Sequence, residues 1–106
     1  PTDVFEVTTC TVTKHLWTPA DFGIKRAALG SLSGGDAFRN KQILHEVLSG
    51  KPGPMRDIVA VNASAGLLVA GLAGDLISGV QLACHSIDSG AALAKLELLT
   101  KKFPVP

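Results

Sequence analysis

The segment from Leu32 to Asn40, LSGGDAFRN, joins two glycines and an acid to the start of an amphipathic run. Glycines at the mouth of a helix can let backbone N–H groups converge on a phosphate. Here, however, Asp36 places a carboxylate where the phosphate would sit, and no Lys-Ser or Lys-Thr pair follows as in a Walker loop. An aspartate at this position is a strong helix N-cap, which contributes about 1 kcal/mol. We therefore predict a hinge and helix cap rather than a phosphate-binding loop.

The histidines and the acids near them do not form a catalytic or metal-binding set. We expect His15 to be an exposed strand residue, and His45 and His85 lie on the polar sides of their predicted helices without an acid or cysteine at a metal-ligand offset. Asp88 and Ser89 follow His85 by about one turn, directly before a glycine, so we expect them to cap a helix end. The DFG triplet that begins at residue 21 lacks every other element of a protein kinase. The sequence therefore predicts no catalytic, substrate-binding or metal-binding residue within this chain.

Two asparagines fall among apolar residues of predicted helices. Asn40 lies in an apolar stripe, and Asn62 lies in a helix that is apolar on all sides. A buried amide without a partner costs on the order of 1–3 kcal/mol. We predict that each side chain bonds backbone groups of the LSGG or GKPGP connection and so locks two helices together. Contact with a substrate is the alternative.

The composition excludes several classes of partner and location. The 106 residues are 46% hydrophobic and 18% charged, with a net charge of +1 and no tyrosine. Such a chain folds as one domain or part of one, and it offers neither a basic patch nor stacking aromatics for nucleic acid or a membrane surface. Its longest apolar stretch, Ile58 to Gly74, is shorter than the ~20 residues that a bilayer requires. Cys10 and Cys84 match no zinc or redox spacing, so we favour free thiols in the cytoplasm over a disulfide.

The elements that position these residues follow from the pattern of the chain. Alternation over Asp3–Val7 and Thr11–Trp17 predicts two strands joined by a turn at Thr9 and Cys10. We therefore divide the chain into a β-hairpin over 1–17, a connection over 18–35 and a helical part over 36–103. The connection contains one helical turn capped by Thr18. The fold class is a β-hairpin followed by about four packed helices, belonging to an α/β parent domain.

Four helix starts can be placed from their caps. Asp36 begins the first helix, Pro54 stands at or near the first position of the second, Asp75 begins the third, and the fourth follows Gly90. Arg56 and the aspartate after it lie in the first turn of the second helix, and we expect them to pair with each other or with neighbouring residues, as a solvated or interdomain ion pair. The inward-facing stripes of the first, third and fourth helices are Ala37, Ile43, Leu44, Val47 and Leu48; Leu76, Ile77, Val80, Ala83, Cys84 and Ile87; and Ala92, Leu93, Leu96 and Leu99.

The second helix is the most informative element. From Ile58 to Leu72 its apolar residues point around the whole circumference, so it must be covered on all sides. Three further helices and a hairpin supply too little cover. We therefore expect that part of the surrounding protein is missing from this chain.

These segments together resemble a known family. PTDVFEV, TPADFGI, LSGGDAFRNKQI, VLSGKPGPMRDIVAVNA and IDSGAALAKL are similar, in order and spacing, to the C-terminal third of the anthranilate phosphoribosyltransferase family. The resemblance covers essentially the whole chain, and its strength lies in the co-linear order of motifs that are individually weak. Among the departures, Gly66 stands where alanine is common in the family.

The resemblance implies an enzyme that transfers phosphoribosyl from phosphoribosyl pyrophosphate to anthranilate in tryptophan biosynthesis, with Mg²⁺ holding the pyrophosphate. The family's pyrophosphate loop, its K-H-G-N-R segment and its metal-binding Asp-Glu pair would all precede Pro1, so no catalytic residue carries over. This chain would be a structural buttress of the large α/β domain. Its partners would be the missing N-terminal part of the same enzyme and, through a small helical domain absent here, a second subunit in a homodimer.

Three rival interpretations stay open from the sequence. One is a self-sufficient enzyme, which the lack of a convergent set of catalytic residues disfavours. Another is a free-standing helical module for protein interaction. The third is part of a pyrimidine nucleoside phosphorylase-like enzyme, which shares the fold but matches these motifs less well.

Overall fold

The computed structural model describes residues 1–105 as a hairpin followed by four helices, which confirms the predicted order of elements. The elements are β1 (Thr2–Val7), β2 (Val12–Trp17), two short 3₁₀ turns (Pro19–Phe22 and Leu29–Leu32), α1 (Ala37–Leu48), α2 (Pro54–Val69), α3 (Leu76–Asp88) and α4 (Ala91–Lys102).

The hairpin turn is held by a threonine side chain rather than by glycine. β1 and β2 pair antiparallel, ending in the pair Val7 and Val12. Beyond it, the Thr8 N–H donates to the Thr11 carbonyl at 2.9 Å, and Thr8 Oγ1 accepts from the Thr11 N–H at 3.0 Å. Cys10 N–H donates to the same hydroxyl oxygen at 3.3 Å. No described residue other than glycine has a positive φ, so this turn does not use the left-handed geometry typical of Asn-Gly hairpins.

The connection between hairpin and helices contains the predicted capped turn. The Thr18 N–H donates to Asp21 Oδ2 at 2.7 Å, and the following Phe22 is buried edge-on against Trp17 with ring centroids 5.5 Å apart. A second 3₁₀ turn, Leu29–Leu32, was not predicted. Through these contacts the connection fastens one face of the hairpin to the rest of the chain.

All four helices begin where the sequence predicts, and α4 starts directly after Gly90. Asp36 accepts from the Arg39 N–H at 2.8 Å, Asp75 accepts from the Ser78 N–H at 2.7 Å, and Pro54 occupies the first position of α2. The C-terminus of α2 differs from the prediction. The helix ends at Val69 because Gly71 adopts a left-handed conformation with φ 75°, and Leu72 therefore lies in the following loop.

The helical core is built on a close crossing of α2 and α3. Ser64 of α2 is completely buried, and its hydroxyl donates to the carbonyl of Leu76 at 2.6 Å. Gly79 of α3 lies against it, and a β carbon at position 79 would approach Ser64 Cα to 3.0 Å. Glycine is therefore what lets the two backbones approach this closely. The other buried apolar residues are Phe22, Val47, Ala60, Ala83 and Ile87.

Several residues predicted to face inward are exposed instead. Leu44, Ile77 and Leu99 are 43%, 49% and 54% exposed, and Ala37 is also exposed. Their helices form with the predicted phase, but no other element of residues 1–105 covers those parts of the stripes. The same is true of α2, where Val59 is 41% exposed. Incomplete cover of α2 agrees with the prediction made from its all-round apolar sequence.

The chain exposes more surface than a compact protein of the same mass. Its accessible surface is 7598 Å², whereas a compact protein of 11.0 kDa exposes about 5,600 Å². Its radius of gyration is 15.4 Å, against about 13 Å for a compact domain of this length. Exposed large apolar side chains lie on the hairpin and on all four helices.

Candidate functional site

The glycine-rich segment closes on itself through Asn40. Asn40 Oδ1 accepts from the Gly35 N–H at 2.9 Å, and its Nδ2 donates to the Gly35 carbonyl at 3.0 Å. The predicted bonding of Asn40 to the LSGG connection is therefore confirmed, although the side chain is exposed and fixes the hinge of its own helix rather than joining two helices. Together with the Asp36 cap, this pairing occupies polar groups that a phosphate would otherwise use.

The prediction for Asn62 is wrong. Its side chain is exposed, and Nδ2 donates to the carbonyl of Ile58 at 2.9 Å, one turn earlier in the same helix. An intrahelical partner was available because the i−4 carbonyl lies directly below an asparagine on a helix surface. Asn62 thus locks no neighbouring connection; it borders a cavity of about 480 Å³ between the hairpin, the connection and α2.

Arg56 and Asp88 form a clamp at one end of the helical part. Arg56 Nη1 and Nη2 donate to the two carboxylate oxygens at 2.6 and 2.9 Å, and Nη1 also donates to the Gly50 carbonyl at 3.3 Å. The Arg56 side chain is only 14% exposed. The hydrogen bonds raise the pKa of Arg56 and hold the pKa of Asp88 below its ordinary value. The clamp thereby ties the start of α2 to the ends of α1 and α3.

This clamp corrects two expectations. Of the two alternatives for Arg56, the pairing with a neighbouring residue is correct: the partner is Asp88 rather than the adjacent aspartate, and the pair lies within this chain rather than between domains. Asp88 was predicted to cap a helix end but is the last residue of α3 and is engaged by the arginine instead. Ser89 takes the C-cap position, with its hydroxyl 3.3 Å from the Ser86 carbonyl. The prediction failed because the partner lies 32 positions away in sequence.

The histidines and cysteines lie apart from one another. His15 is half-buried rather than exposed, and its Nε2 lies 3.3 Å from Glu6 Oε1 across the hairpin. His45 and His85 are exposed, and the two cysteines are free thiols. Among residues 1–105 no three His, Cys, Asp or Glu side chains lie close enough to hold a metal ion.

The outer face of the hairpin is largely apolar, and no other element of residues 1–105 covers it. Phe5, Val7, Val12 and Leu16 share this face, and each is between 61% and 71% exposed. Near its centre, Lys14 pairs with Asp3 at 3.6 Å, and its ammonium lies 5.9 Å from the centroid of the Phe5 ring. A two-stranded hairpin is marginal by itself and gains stability from further strands or a packed helix. Apart from Lys14 and Asp3, the side chains on this face are apolar.

A second apolar surface runs along α2. This α2 groove has a volume of about 660 Å³ and lies between α2, α3 and the facing ends of α1 and α4. No charged residue lines it, and its lining includes Leu48, Val59, Ala63, Gly66, Leu67 and Leu82. Glycine inside a helix costs up to about 1 kcal/mol relative to alanine. No atom lies within 4 Å of where a Gly66 β carbon would be, so no close packing among the described residues offsets that cost.

Comparison with known proteins identifies the kind of domain to which these surfaces belong. Residues 1–93 match the family model described as the a/b domain of the glycosyl transferase family. The chain belongs to this family. The α/β class predicted from the sequence is thereby confirmed, and the resemblance drawn from the sequence motifs is confirmed by the relatives described next.

Named relatives of this glycosyl transferase domain share one description. The chain is similar to the anthranilate phosphoribosyltransferases of Desulforamulus reducens (45% identical over 98 residues), Hyphomonas neptunium (45% over 101) and Rhodopseudomonas palustris (50% over 99). These matches cover 92%, 95% and 93% of this chain. They cover 28%, 30% and 29% of the relatives, so the chain spans less than a third of their length.

One further expectation concerns membranes. The structure places no helix within residues 1–105 that has the length and apolar character needed to cross a bilayer. The apolar run of α2 is packed against α3 and the second 3₁₀ turn along part of its surface.

Proposed function

We propose that this chain is part of an enzyme that transfers the phosphoribosyl group of phosphoribosyl pyrophosphate to the amine of anthranilate, a step of tryptophan biosynthesis in the cytoplasm. The observation that carries the proposal is the 45–50% identity to proteins named for this activity, sustained over more than nine-tenths of the chain. The glycosyl transferase family to which the chain belongs is consistent with such a group transfer.

Within that enzyme, the chain acts as a structural buttress. The side chains of its most suggestive motifs are engaged internally: Asn40 with the hinge, Arg56 with Asp88, and Asp36 with the start of α1. What remains available is apolar surface on the hairpin and along α2. We propose that the hairpin extends or flanks the sheet whose other strands carry the substrate loops.

This role contributes to catalysis through rigidity. Phosphoribosyl transfer depends mainly on positioning the two substrates and on neutralising the charge of the departing pyrophosphate. Groups that do this must be held within about 0.5 Å of the productive geometry by a packed supporting shell. In this proposal Mg²⁺, its Asp-Glu ligands, the pyrophosphate loop and the dimer interface all belong to the part of the enzyme outside this chain.

A chimera tests the proposal. In the Rhodopseudomonas palustris relative, the matched stretch of 99 residues is replaced by residues 1–106 of this chain, and phosphoribosyl transfer to anthranilate is measured. We expect kcat and both KM values to stay within about tenfold of the parent, because each tenfold change corresponds to 1.4 kcal/mol and the substrate-binding residues are untouched.

The other outcomes separate the rival interpretations. A folded chimera without transfer would contradict the proposal. Phosphorolysis of a pyrimidine nucleoside by that chimera would favour the phosphorylase-like alternative instead. If residues 1–106 are produced as a separate polypeptide, an inert folded monomer that does not associate with the rest of the relative would favour the interaction module.

A further inference from the structure

We propose that a pocket between α1 and the start of α2 binds a phosphate group, carried either by inorganic phosphate or by a small phosphate ester. This anion pocket has a volume of about 250 Å³, and the second 3₁₀ turn forms its third wall. Such a site goes beyond the proposed function, in which this chain contacts no substrate. The polar lining of the anion pocket consists of Ser31, Ser33, Arg39, Glu46, Lys51 and Arg56.

The anion pocket carries a surplus of positive charge. Three cations and one acid line it, and a second acid, Asp88, pairs with Arg56. Three positive charges against two negative ones leave a surplus of one, which equals the formal net charge of the whole chain. Clefts lined by one sign of charge concentrate ligands of the opposite sign, so an anion is the class of ligand that this pocket favours.

Glu46 shows that an oxyanion fits between two of these cations. Its Oε2 lies 3.1 Å from Lys51 Nζ, and its Oε1 lies 3.7 Å from Arg39 Nη1. The hydrogen bond from Lys51 holds the pKa of Glu46 below its ordinary value, so the carboxylate is charged at neutral pH. The side chains of Arg39 and Lys51 are both more than half exposed. Exposed ion pairs are weak, so a ligand with more acceptor oxygens can displace the Glu46 carboxylate from both cations.

The arrangement of donors favours a tetrahedral anion. Arg39 lines the pocket from α1 and Lys51 from the loop after α1, whereas Ser31 and Ser33 line it from the second 3₁₀ turn. A phosphate group presents several acceptor oxygens in different directions and suits the fork of an arginine, and hydroxyl groups can donate to it as well. A carboxylate presents only two oxygens in one plane. The volume of about 250 Å³ lies below the roughly 300–1,000 Å³ of sites for larger ligands, which fits a phosphate group.

The anion pocket is separate from the start of α1, where Asp36 and Asn40 occupy the backbone groups that a phosphate would otherwise use. Its donors are side chains, and one of its walls is the turn of residues 52–54, in which Pro52 and Pro54 flank a glycine. Because proline fixes φ, this wall is stiff before any ligand arrives. Binding therefore orders little backbone, which lowers its entropic cost.

Lysine acetylation of the chimera tests whether a phosphate binds at this place. The native chimera is treated with an N-hydroxysuccinimide ester of acetate, with and without inorganic phosphate, at an ionic strength held constant with NaCl. Mass spectrometry gives the rates at Lys51 and at Lys41, an exposed lysine of α1 that does not line the pocket. We expect about 20 mM phosphate to slow acetylation of Lys51 at least about threefold, because a bound anion covers the ammonium group, and to leave Lys41 unchanged. Equal effects at the two lysines, or no protection at Lys51, would overturn the inference.

Two variants should shift the phosphate concentration for half-protection of Lys51 in opposite directions. Arg39→Gln removes a charged donor and should raise that concentration about tenfold. Glu46→Gln removes a like charge from beside the ligand and should lower it about threefold. The matched controls are Arg26→Gln and Glu97→Gln, which change the same charges at exposed positions away from the pocket. A misfolded pocket cannot gain affinity, so Glu46→Gln keeps the test valid if Arg39→Gln disturbs the fold. Variants that behave as their controls would overturn the inference.

Other anions identify the source of the phosphate group. Protection of Lys51 by ribose 5-phosphate at concentrations similar to those of inorganic phosphate supports a pocket that accepts the group from an ester. Protection by inorganic phosphate alone supports a pocket that holds only the free anion. Acetate that protects Lys51 as well as phosphate does would overturn the assignment to a phosphate group. None of these measurements depends on phosphoribosyl transfer, so failure of the proposed function leaves the test of the anion pocket intact.

Discussion

Ser64 and Gly79 set the distance between the two central helices. The serine hydroxyl is satisfied by the carbonyl of Leu76, so its burial carries little penalty, and the glycine leaves space for it. Neither residue stands out in the sequence, because a serine inside an apolar helix and a glycine inside another are individually common. The signal is their pairing, which requires knowledge of how α2 and α3 cross.

Replacing Gly79 with alanine tests this crossing. A β carbon there would overlap the Ser64 side chain and approach its Cα to 3.0 Å, so the helices must separate. We expect the free energy of unfolding of the chimera to fall by about 1–3 kcal/mol in urea denaturation, as for other overpacked cores. Gly74→Ala is the matched control, because that position is open. A Gly79→Ala protein as stable as the control would show that the crossing is looser than described.

The clamp between Arg56 and Asp88 predicts a dependence of stability on pH. Arg56 lowers the folded-state pKa of Asp88 below its ordinary value of 3.8. The contribution of the Asp88 carboxylate to the free energy of unfolding is therefore present above that value and is lost as the pH falls through the lower folded-state pKa. We expect Asp88→Asn to lower the urea midpoint of the chimera at pH 7, and the difference from the parent chimera to shrink below about pH 4.

The control for this titration is an acid elsewhere on the surface. Glu97→Gln, on the exposed side of α4, should leave the urea midpoint at pH 7 nearly unchanged. A difference between Asp88→Asn and the parent that persists undiminished at pH 3 would mean that the carboxylate charge is not what holds the clamp.

At the scale of elements, the hinge before α1 carries a testable role for Asn40. Two hydrogen bonds join its amide to Gly35, each worth about 0.5–1.5 kcal/mol. We expect Asn40→Ala to lower the free energy of unfolding of the chimera by about 1–2 kcal/mol, because both bonds are lost. Asn40→Asp should recover only part of this, since a carboxylate accepts from the Gly35 N–H but cannot donate to its carbonyl.

Kinetics separate this structural role from substrate contact. Lys41→Ala, an exposed neighbour on α1, serves as the control for both stability and activity. KM for both substrates should be the same in the Asn40→Ala and control chimeras. A rise in either KM of more than about tenfold, or 1.4 kcal/mol of binding, would place Asn40 at a substrate site instead.

The starts of the elements were predictable because their signals are local. Asp36 and Asp75 accept hydrogen bonds from N–H groups three positions further on, and Pro54 supplies the fixed φ that suits the first position of α2. The predicted end of α2 was less accurate. Gly71 stops the helix, which ends at Val69, although the apolar pattern continues to Leu72.

Contacts between distant residues and the depth of burial were not predictable in the same way. Asp88 finds Arg56 across 32 positions, and nothing in the local sequence marks that pairing. Leu99 has the correct helical phase to face inward but is 54% exposed, because burial depends on neighbours as well as on phase. Asn62 satisfied its amide within its own helix, an option that the apolar context obscured.

At the scale of the whole molecule, the apolar surface is the common feature. The hairpin face with Phe5 and Val12 and the α2 groove lie on different parts of the chain, and each resembles the inside of a larger domain. The clamp between Arg56 and Asp88 ties the helices together without using either surface. Under the proposed function, these are the two surfaces through which the chain would contact the remainder of the enzyme.

Co-expression of two separate polypeptides tests this account most directly. One is residues 1–106 of this chain, and the other is the Rhodopseudomonas palustris relative without its matched stretch. Phosphoribosyl transfer is measured for each alone and for the copurified pair. We predict no transfer by either polypeptide alone and restored transfer by the pair. Transfer by this chain alone, or a stable copurified pair that remains inactive, would contradict the account.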